Sequence, residues 1–245
     1  MKVKELIMQR TAAKSTMHMT LIDPAKQPYD QAAEIAATAE RLGTDAIMVG
    51  GSTDVTQENL DQTVLAIKKC VKTPIIYFPS GAHAISRYTD AIYFMSMLNS
   101  RNLKNIIGEQ VAGAAIINQI GLETVGMGYM IVEPGMKVGE VGEADVIKRD
   151  DLQTAISYGL AAQFLGMDVV YYEAGSGAPE PVPVEMVAAI KSKVRLPVII
   201  GGGIRTPEQA KHLKQAGADV IVTGTICENG AFESRLGEII RAVKG

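Results

Sequence analysis

The chain, 245 residues long, is short of cysteine, of histidine and of net charge. Cys70 and Cys227 are its only cysteines, and no Cys-x-x-Cys pair occurs. That excludes a disulfide framework and a thiolate metal knuckle, and it makes a reducing compartment the default. Both thiols are expected to be small buried hydrophobes. The three histidines, His18, His83 and His212, have no metal-ligand spacing. A net charge of −3 excludes the basic footprint of a general nucleic-acid binder. An anionic ligand must then be held by local donors. No apolar run reaches the ~20 residues that cross a bilayer. The charges of Lys2, Lys4 and Glu5 are not followed by the apolar stretch of a signal peptide. A soluble, cytoplasmic protein is expected. Also missing are a nucleophile elbow, a GxGxxG turn and a strand-end lysine suited to a Schiff base.

What is present is alternation. Hydrophobic content of 47% and charged content of 21% are those of an ordinary globular protein. Apolar runs of strand length fall at 17–23, 46–51, 74–79, 91–98, 125–132, 169–173, 197–201 and 220–224. Most are continuous, as in parallel strands buried on both faces. Helical stripes lie between them, such as Ala32, Ile35, Ala36, Ala39 and Leu42, or Leu60, Val64, Ile67 and Val71. Thr206-Pro207-Glu208-Gln209 reads as a capped helix start, and Gly217 as that helix's end. Eight strands with crossovers predict an α/β fold, a (β/α)8 TIM barrel, with an open doubly wound sheet as the alternative. The third crossover, 80–89, looks poorly helical. A short helix over 3–13 should cover the barrel floor or edge. No linker or low-complexity segment divides residues 1–245, so one domain is predicted.

Barrel chemistry sits on the loops after the strands. Strand six runs into Tyr171-Tyr172-Glu173-Ala174-Gly175-Ser176-Gly177, a carboxylate entering a glycine loop. Strand seven ends in Gly201-Gly202-Gly203-Ile204-Arg205, and strand eight in Thr223-Gly224-Thr225. Glycines let backbone N–H groups approach an anion, and Ser176 adds a hydroxyl. These loops after strands six, seven and eight predict phosphate binding, although glycines also ease tight turns. Arg205 either supports the phosphate or forms a surface ion pair, the second being preferred. Asp23, after strand one, either caps its own turn before Pro24 or projects at the barrel mouth. Ser52, after strand two, could bind a ligand oxygen or a hard cation. Asp54 reads as the cap of the next helix. Asp23, Ser52 and substrate oxygens would make a plausible Mg²⁺ site, and composition alone does not choose this over capping. His18 should lie near the barrel base and His212 on a helix surface, neither in the chemistry. Tyr93, Phe94, Met95 and Met97, with Met127, Tyr129 and Met130, read as core, those at the mouth as a possible apolar channel.

Seven stretches, in order, resemble the geranylgeranylglyceryl phosphate synthase family of archaeal-type prenyltransferases. They begin at His18, Met48, Phe94, Gly128, Tyr171, Gly201 and Val222. The Tyr-x-Glu-Ala-Gly-Ser-Gly-Ala-Pro run from Tyr171 to Pro179, together with Leu21-Ile22-Asp23-Pro24, is the most specific; Phe78-Pro79-Ser80-Gly81 matches less well. The resemblance implies a TIM barrel that joins sn-glycerol 1-phosphate to geranylgeranyl diphosphate with Mg²⁺. It implies Asp23 and Ser52 as the Mg²⁺ site. It implies Tyr171, Tyr172, Glu173, Ala174, Gly175, Ser176, Gly177, Gly202, Gly203, Gly224 and Thr225 as the glycerol phosphate site. Self-association is expected, and stable membrane insertion is not. Glu173, the only carboxylate in the phosphate loop, is the candidate base for the glycerol C3 hydroxyl. The aspartate-rich DDxxD motif is absent, which argues against the all-helical prenyltransferase fold. Three readings compete: a heptaprenylglyceryl phosphate synthase, an isomerase or lyase on the same barrel, and a catalytically idle phosphate-binding protein.

Overall fold

The computed structural model describes residues 2–228 and 232–245. Its strands are β1 (Met17–Ile22), β2 (Ala46–Val49), β3 (Ile75–Tyr77), β4 (Ala91–Met97), β5 (Glu123–Ile131), β6 (Val169–Glu173), β7 (Val198–Gly201) and β8 (Val220–Thr223). They pair in parallel, in sequence order, and β8 pairs back onto β1. The barrel is closed, which rules out the open doubly wound sheet. The helices are α1 (Val3–Ala12), α2 (Tyr29–Leu42), α3 (Gln57–Lys68), α4 (Glu109–Ile120), α5 (Met136–Val141), α6 (Leu152–Phe164), α7 (Val184–Lys191), α8 (Pro207–Gln215) and α9 (Phe232–Lys244).

Alternation along each strand sends side chains to two cores. Met19, Met48, Tyr93, Met127, Tyr129, Tyr171 and Ile199 fill the barrel interior. Ile47, Tyr77, Val170, Tyr172 and Ile200 face the helices. Helix α1 packs Val3 and Ile7 onto the interior cluster, as expected of a floor helix. The Glu123 carboxylate accepts from the Val3 and Lys4 amides at 3.0 Å each, tying that helix to the base of β5.

Helix starts follow local chemistry. Thr206 caps α8 with Pro207 behind it and Gln209 completing the capping box, and Gly217 follows the helix at φ +102°. Before α3 the cap is Thr56, which accepts from Asn59 N. The expected cap, Asp54, instead sits at φ +61° and offers its backbone carbonyl to the Asn59 side chain. The third crossover has no helix between β3 and β4. After β4 the chain forms a π-helical turn, Lys104–Gly108, before α4.

His18 lies wholly buried behind β1, its Nδ1 3.0 Å from Thr44 Oγ1 and its Nε2 3.0 Å from Thr223 Oγ1. Burial, with the Lys244 charge adding to it, drives its pKa down to about 3, so it is a neutral strut between β1 and β8. His212 is exposed. Cys227 is buried as expected; Cys70 is exposed, because it lies just past α3.

Candidate active site

At the barrel mouth Phe78, Tyr93, Tyr129 and Tyr171 pack as an aromatic floor. Phe78 stacks on Tyr171 with centroids 5.5 Å apart, and Tyr129 meets Tyr171 edge-on at 5.2 Å. Glu173 stands above this floor at the last residue of β6. Strand alternation decides which neighbours face it. Tyr171 and Glu173 point inward. Tyr172 points outward, its hydroxyl donating to Ala155 O at 2.8 Å against α6. The Ala174 side chain is buried among the outer-layer residues. Of the expected glycerol phosphate residues, Tyr172 and Ala174 therefore have their side chains outside both cavities of the mouth, and they brace the loop from behind.

The β6 loop is held by its own backbone. Gly175 N donates to Glu173 Oε1 at 2.7 Å. Gly175 and Gly177 take φ of +101° and +82°, which only glycine adopts without strain. Arg205 donates to the Gly177 and Pro179 carbonyls at 2.9 and 3.1 Å. It clips the β7 loop to the β6 loop and also lines the small cavity among the β6, β7 and β8 loops, where phosphate binding is expected; no ion pair to it is found among the described residues. Gly201 and Gly202 allow close approach, since a Cβ on Gly201 would strike the Tyr171 hydroxyl and one on Gly202 would strike Glu173 Oε1.

Two cavities meet here. The small one, about 40 Å³, lies among the β6, β7 and β8 loops and is lined by Ser176, Gly177, Gly202, Gly203, Gly224 and Thr225. The Ser176 and Thr225 hydroxyls are 3.0 Å apart across it. Its place after the last strands is the usual phosphate position of this fold. The large cavity is a cleft of about 400 Å³ that leaves the mouth over β4, where the third crossover has no helix. That volume suits a whole small-molecule ligand. Phe78, Tyr93, Phe94, Met95, Met97 and Tyr129 are in its walls, while Met127 and Met130 are not. Phe78 has no sequence signal beyond its place just after β3, and its role appears only once the barrel closes.

Glu173 lies in the wall shared by the two cavities. It is 7% exposed. Burial raises its pKa from the ordinary 4.5 to about 7; the Gly175 N–H and the Tyr171 hydroxyl pull partly the other way. Such a carboxylate is poised to exchange a proton near neutral pH.

Across the cleft lie Asp23 and Ser52. Asp23 Oδ1 accepts from Ala25 N at 3.0 Å, the expected turn-capping bond. Its carboxylate also lies against Gly51, so that a Cβ there would overlap it; this brings it beside the loop that carries Ser52. No cluster of three or more His, Cys, Asp or Glu able to hold a metal occurs among the described residues. One carboxylate and one hydroxyl fit a hard divalent cation only when a ligand's phosphate oxygens complete the shell.

A model of the PcrB family matches residues 8–243. The chain belongs to the PcrB family. The geranylgeranylglyceryl phosphate synthase of Thermoplasma volcanium is 49% identical over 221 residues, 90% of this chain and 88% of that protein. The crystal structure of (S)-3-O-geranylgeranylglyceryl phosphate synthase from Thermoplasma acidophilum, in complex with substrate sn-glycerol-1-phosphate, superposes with a TM-score of 0.97 at 47% identity. It covers 100% of this chain and 99% of its own. The wild-type enzyme from Thermoplasma volcanium superposes at 0.95 and 47% identity, over 100% of this chain and 98% of its own. The likeness takes in the barrel as a whole, including the loops that build both cavities of this PcrB protein.

Proposed function

We propose that this protein forms the ether bond between the C3 hydroxyl of sn-glycerol 1-phosphate and geranylgeranyl diphosphate, releasing diphosphate, in ether-lipid biosynthesis. The observation that carries the reading is the position of Glu173. It stands between a small cavity, ringed by glycine loops and the Ser176 and Thr225 hydroxyls, and a ten-times larger cleft with aromatic and methionine side chains in its walls. The Thermoplasma acidophilum synthase, 47% identical to this chain, is solved with its substrate sn-glycerol-1-phosphate, and the geranylgeranylglyceryl phosphate in the names of the relatives supports a prenyl donor as the second ligand.

The small cavity takes the phosphate, which leaves the glycerol hydroxyls directed at Glu173. The cleft takes the prenyl chain and keeps water from the allylic carbon. The allylic C–O bond to diphosphate breaks, the glycerol oxygen bonds to the prenyl carbon, and Glu173 receives the hydroxyl proton. Asp23 and Ser52 would hold Mg²⁺, which, when bound, offsets the negative charge of the departing diphosphate. A cytoplasmic location belongs to the same proposal. No helix among the described residues is long and apolar enough to cross a membrane. Self-association belongs to the proposal as well.

The deciding assay supplies sn-glycerol 1-phosphate or its enantiomer with geranylgeranyl or heptaprenyl diphosphate, with and without Mg²⁺, and reads products by mass. An ether product from the sn-1 isomer alone, and only with Mg²⁺, is expected. No product under any condition overturns the reading, and product only from heptaprenyl diphosphate makes it a heptaprenylglyceryl phosphate synthase.

Gly202→Ala tests the phosphate side. Gly202 has φ +81°, and an added methyl would strike Glu173. Gly166 has a similar φ of +79°, with nothing within 4 Å of an added Cβ. Both Ala variants carry the same backbone strain, of the order of 1 kcal/mol. Only Gly202→Ala should weaken glycerol phosphate binding, by tenfold or more in calorimetry. Equal affinities would remove Gly202 from the site.

A further inference from the structure

The cleft changes character along α4. Its wall at the start of that helix is polar, with Lys104, Asn105, Glu109 and Gln110. Deeper in, it is made of Ile85, Ile92, Gly113 and Ile117. Gln110, Gly113 and Ile117 form the buried stripe of α4. At ~1.5 Å per residue, Ile117 lies about 6 Å beyond Gly113 along the helix axis. The facing wall is the segment between β3 and β4 that lacks a helix.

Glycine in a helix interior is unfavourable, and it is tolerated where a neighbour comes close. At Gly113 the two walls come close enough that a Cβ would bridge them. A Cβ there would lie 3.2 Å from Ile85 Cδ1, 3.6 Å from Ala82 Cβ and 3.6 Å from Ile117 Cδ1. One methyl could be taken up by a small movement of the flexible Ile85 end. Any longer side chain has no space against either wall and must extend into the lumen. The last apolar stretch, towards Ile92 and Ile117, is reached only past this point.

We infer that Gly113 sets the prenyl length the cleft accepts, by leaving open its deepest apolar segment. The inference rests on the proposed prenyl transfer. The residue is a specificity determinant, remote from Glu173 and from the reacting atoms. A side chain there shortens the lumen without changing the mouth, so it should discriminate by chain length and spare the shorter substrates.

The test is a ladder of farnesyl, geranylgeranyl and longer prenyl diphosphates with saturating glycerol phosphate and Mg²⁺. It is run on the wild type, Gly113→Met and Ile117→Ala, with circular dichroism and Tm measured on each. Gly113→Met should lose at least tenfold in kcat/KM for geranylgeranyl diphosphate, mainly through KM, and change less than twofold for farnesyl diphosphate. Ile117→Ala, which widens the end, should shift preference towards the longer chains, and it carries the test if Gly113→Met does not fold. Equal losses at every length, or an unchanged ladder in both variants, overturn the inference and leave the proposed function standing. A wild type that transfers no prenyl group from any donor overturns both.

Discussion

Glu173→Gln is expected to lower turnover by about two to four orders of magnitude, the usual worth of a positioned base, while glycerol phosphate still binds. Glutamine keeps the shape and can still accept from Gly175 N, which holds Oε1 at 2.7 Å. What it loses is the ability to take a proton. The wild-type rate should rise with pH, be half-maximal near 7, the pKa to which burial brings this carboxylate, and level off above it. In the variant that limb should vanish along with most of the rate. A variant with wild-type turnover would leave the base unassigned.

The same residue has an opposite effect on stability. Its pKa is about 7 folded against an ordinary 4.5. Between those values the folded protein binds more protons than the unfolded chain, so stability falls as pH rises through that window. The loss is about 3 kcal/mol for a shift of this size. Glutamine does not titrate. Glu173→Gln should therefore melt higher than the wild type at pH 8, with the gain fading towards pH 4.5. If Glu173 is the proposed base, destabilising its own fold at the pH where it works is the expected trade between function and stability.

How much of this was legible beforehand varies with the physics behind each feature. Strand β6 comes out with the predicted bounds, Val169–Glu173, because a continuous apolar run is closed off by Asp168 on one side and a glycine loop on the other. The helix α8 is equally plain, since its cap, its proline and its capping box are all local. The inward or outward phase of β6 is not local. Nothing in Tyr171-Tyr172 says which ring fills the barrel and which donates to Ala155 O; strand tilt and register with β5 and β7 decide it. Arg205 shows the same limit. Its partners are carbonyls 26 and 28 residues away, set by loop geometry that no residue type announces. Asp54 precedes its helix closely enough to read as a cap, yet Thr56 takes that role because Asn59 can complete a capping box with it. Long-range closure, not propensity, also gives Gly51 its meaning, as the bare spot against which the Asp23 carboxylate rests.

Asp23→Asn should abolish turnover, by at least 10³-fold or about 4 kcal/mol of barrel-mouth charge stabilisation. Asparagine is nearly the same shape, so it fits the space against Gly51 where a larger residue would collide. It can also keep the turn, because its amide oxygen can accept from Ala25 N as Oδ1 does now at 3.0 Å. The change is therefore one of charge, with fold and cap preserved. Glycerol phosphate should bind as before, since its cavity lies among the β6, β7 and β8 loops and Asp23 is not in that lining. Prenyl diphosphate should bind more weakly, and added Mg²⁺ should no longer strengthen it. Calorimetry of the diphosphate with and without Mg²⁺ separates the two possible roles of Asp23. A variant in which Mg²⁺ still promotes diphosphate binding would reduce Asp23 to the cap of its own turn. If instead the Mg²⁺ effect disappears while glycerol phosphate binding and Tm hold, the carboxylate that caps the β1 turn also carries the charge on which departure of the diphosphate depends.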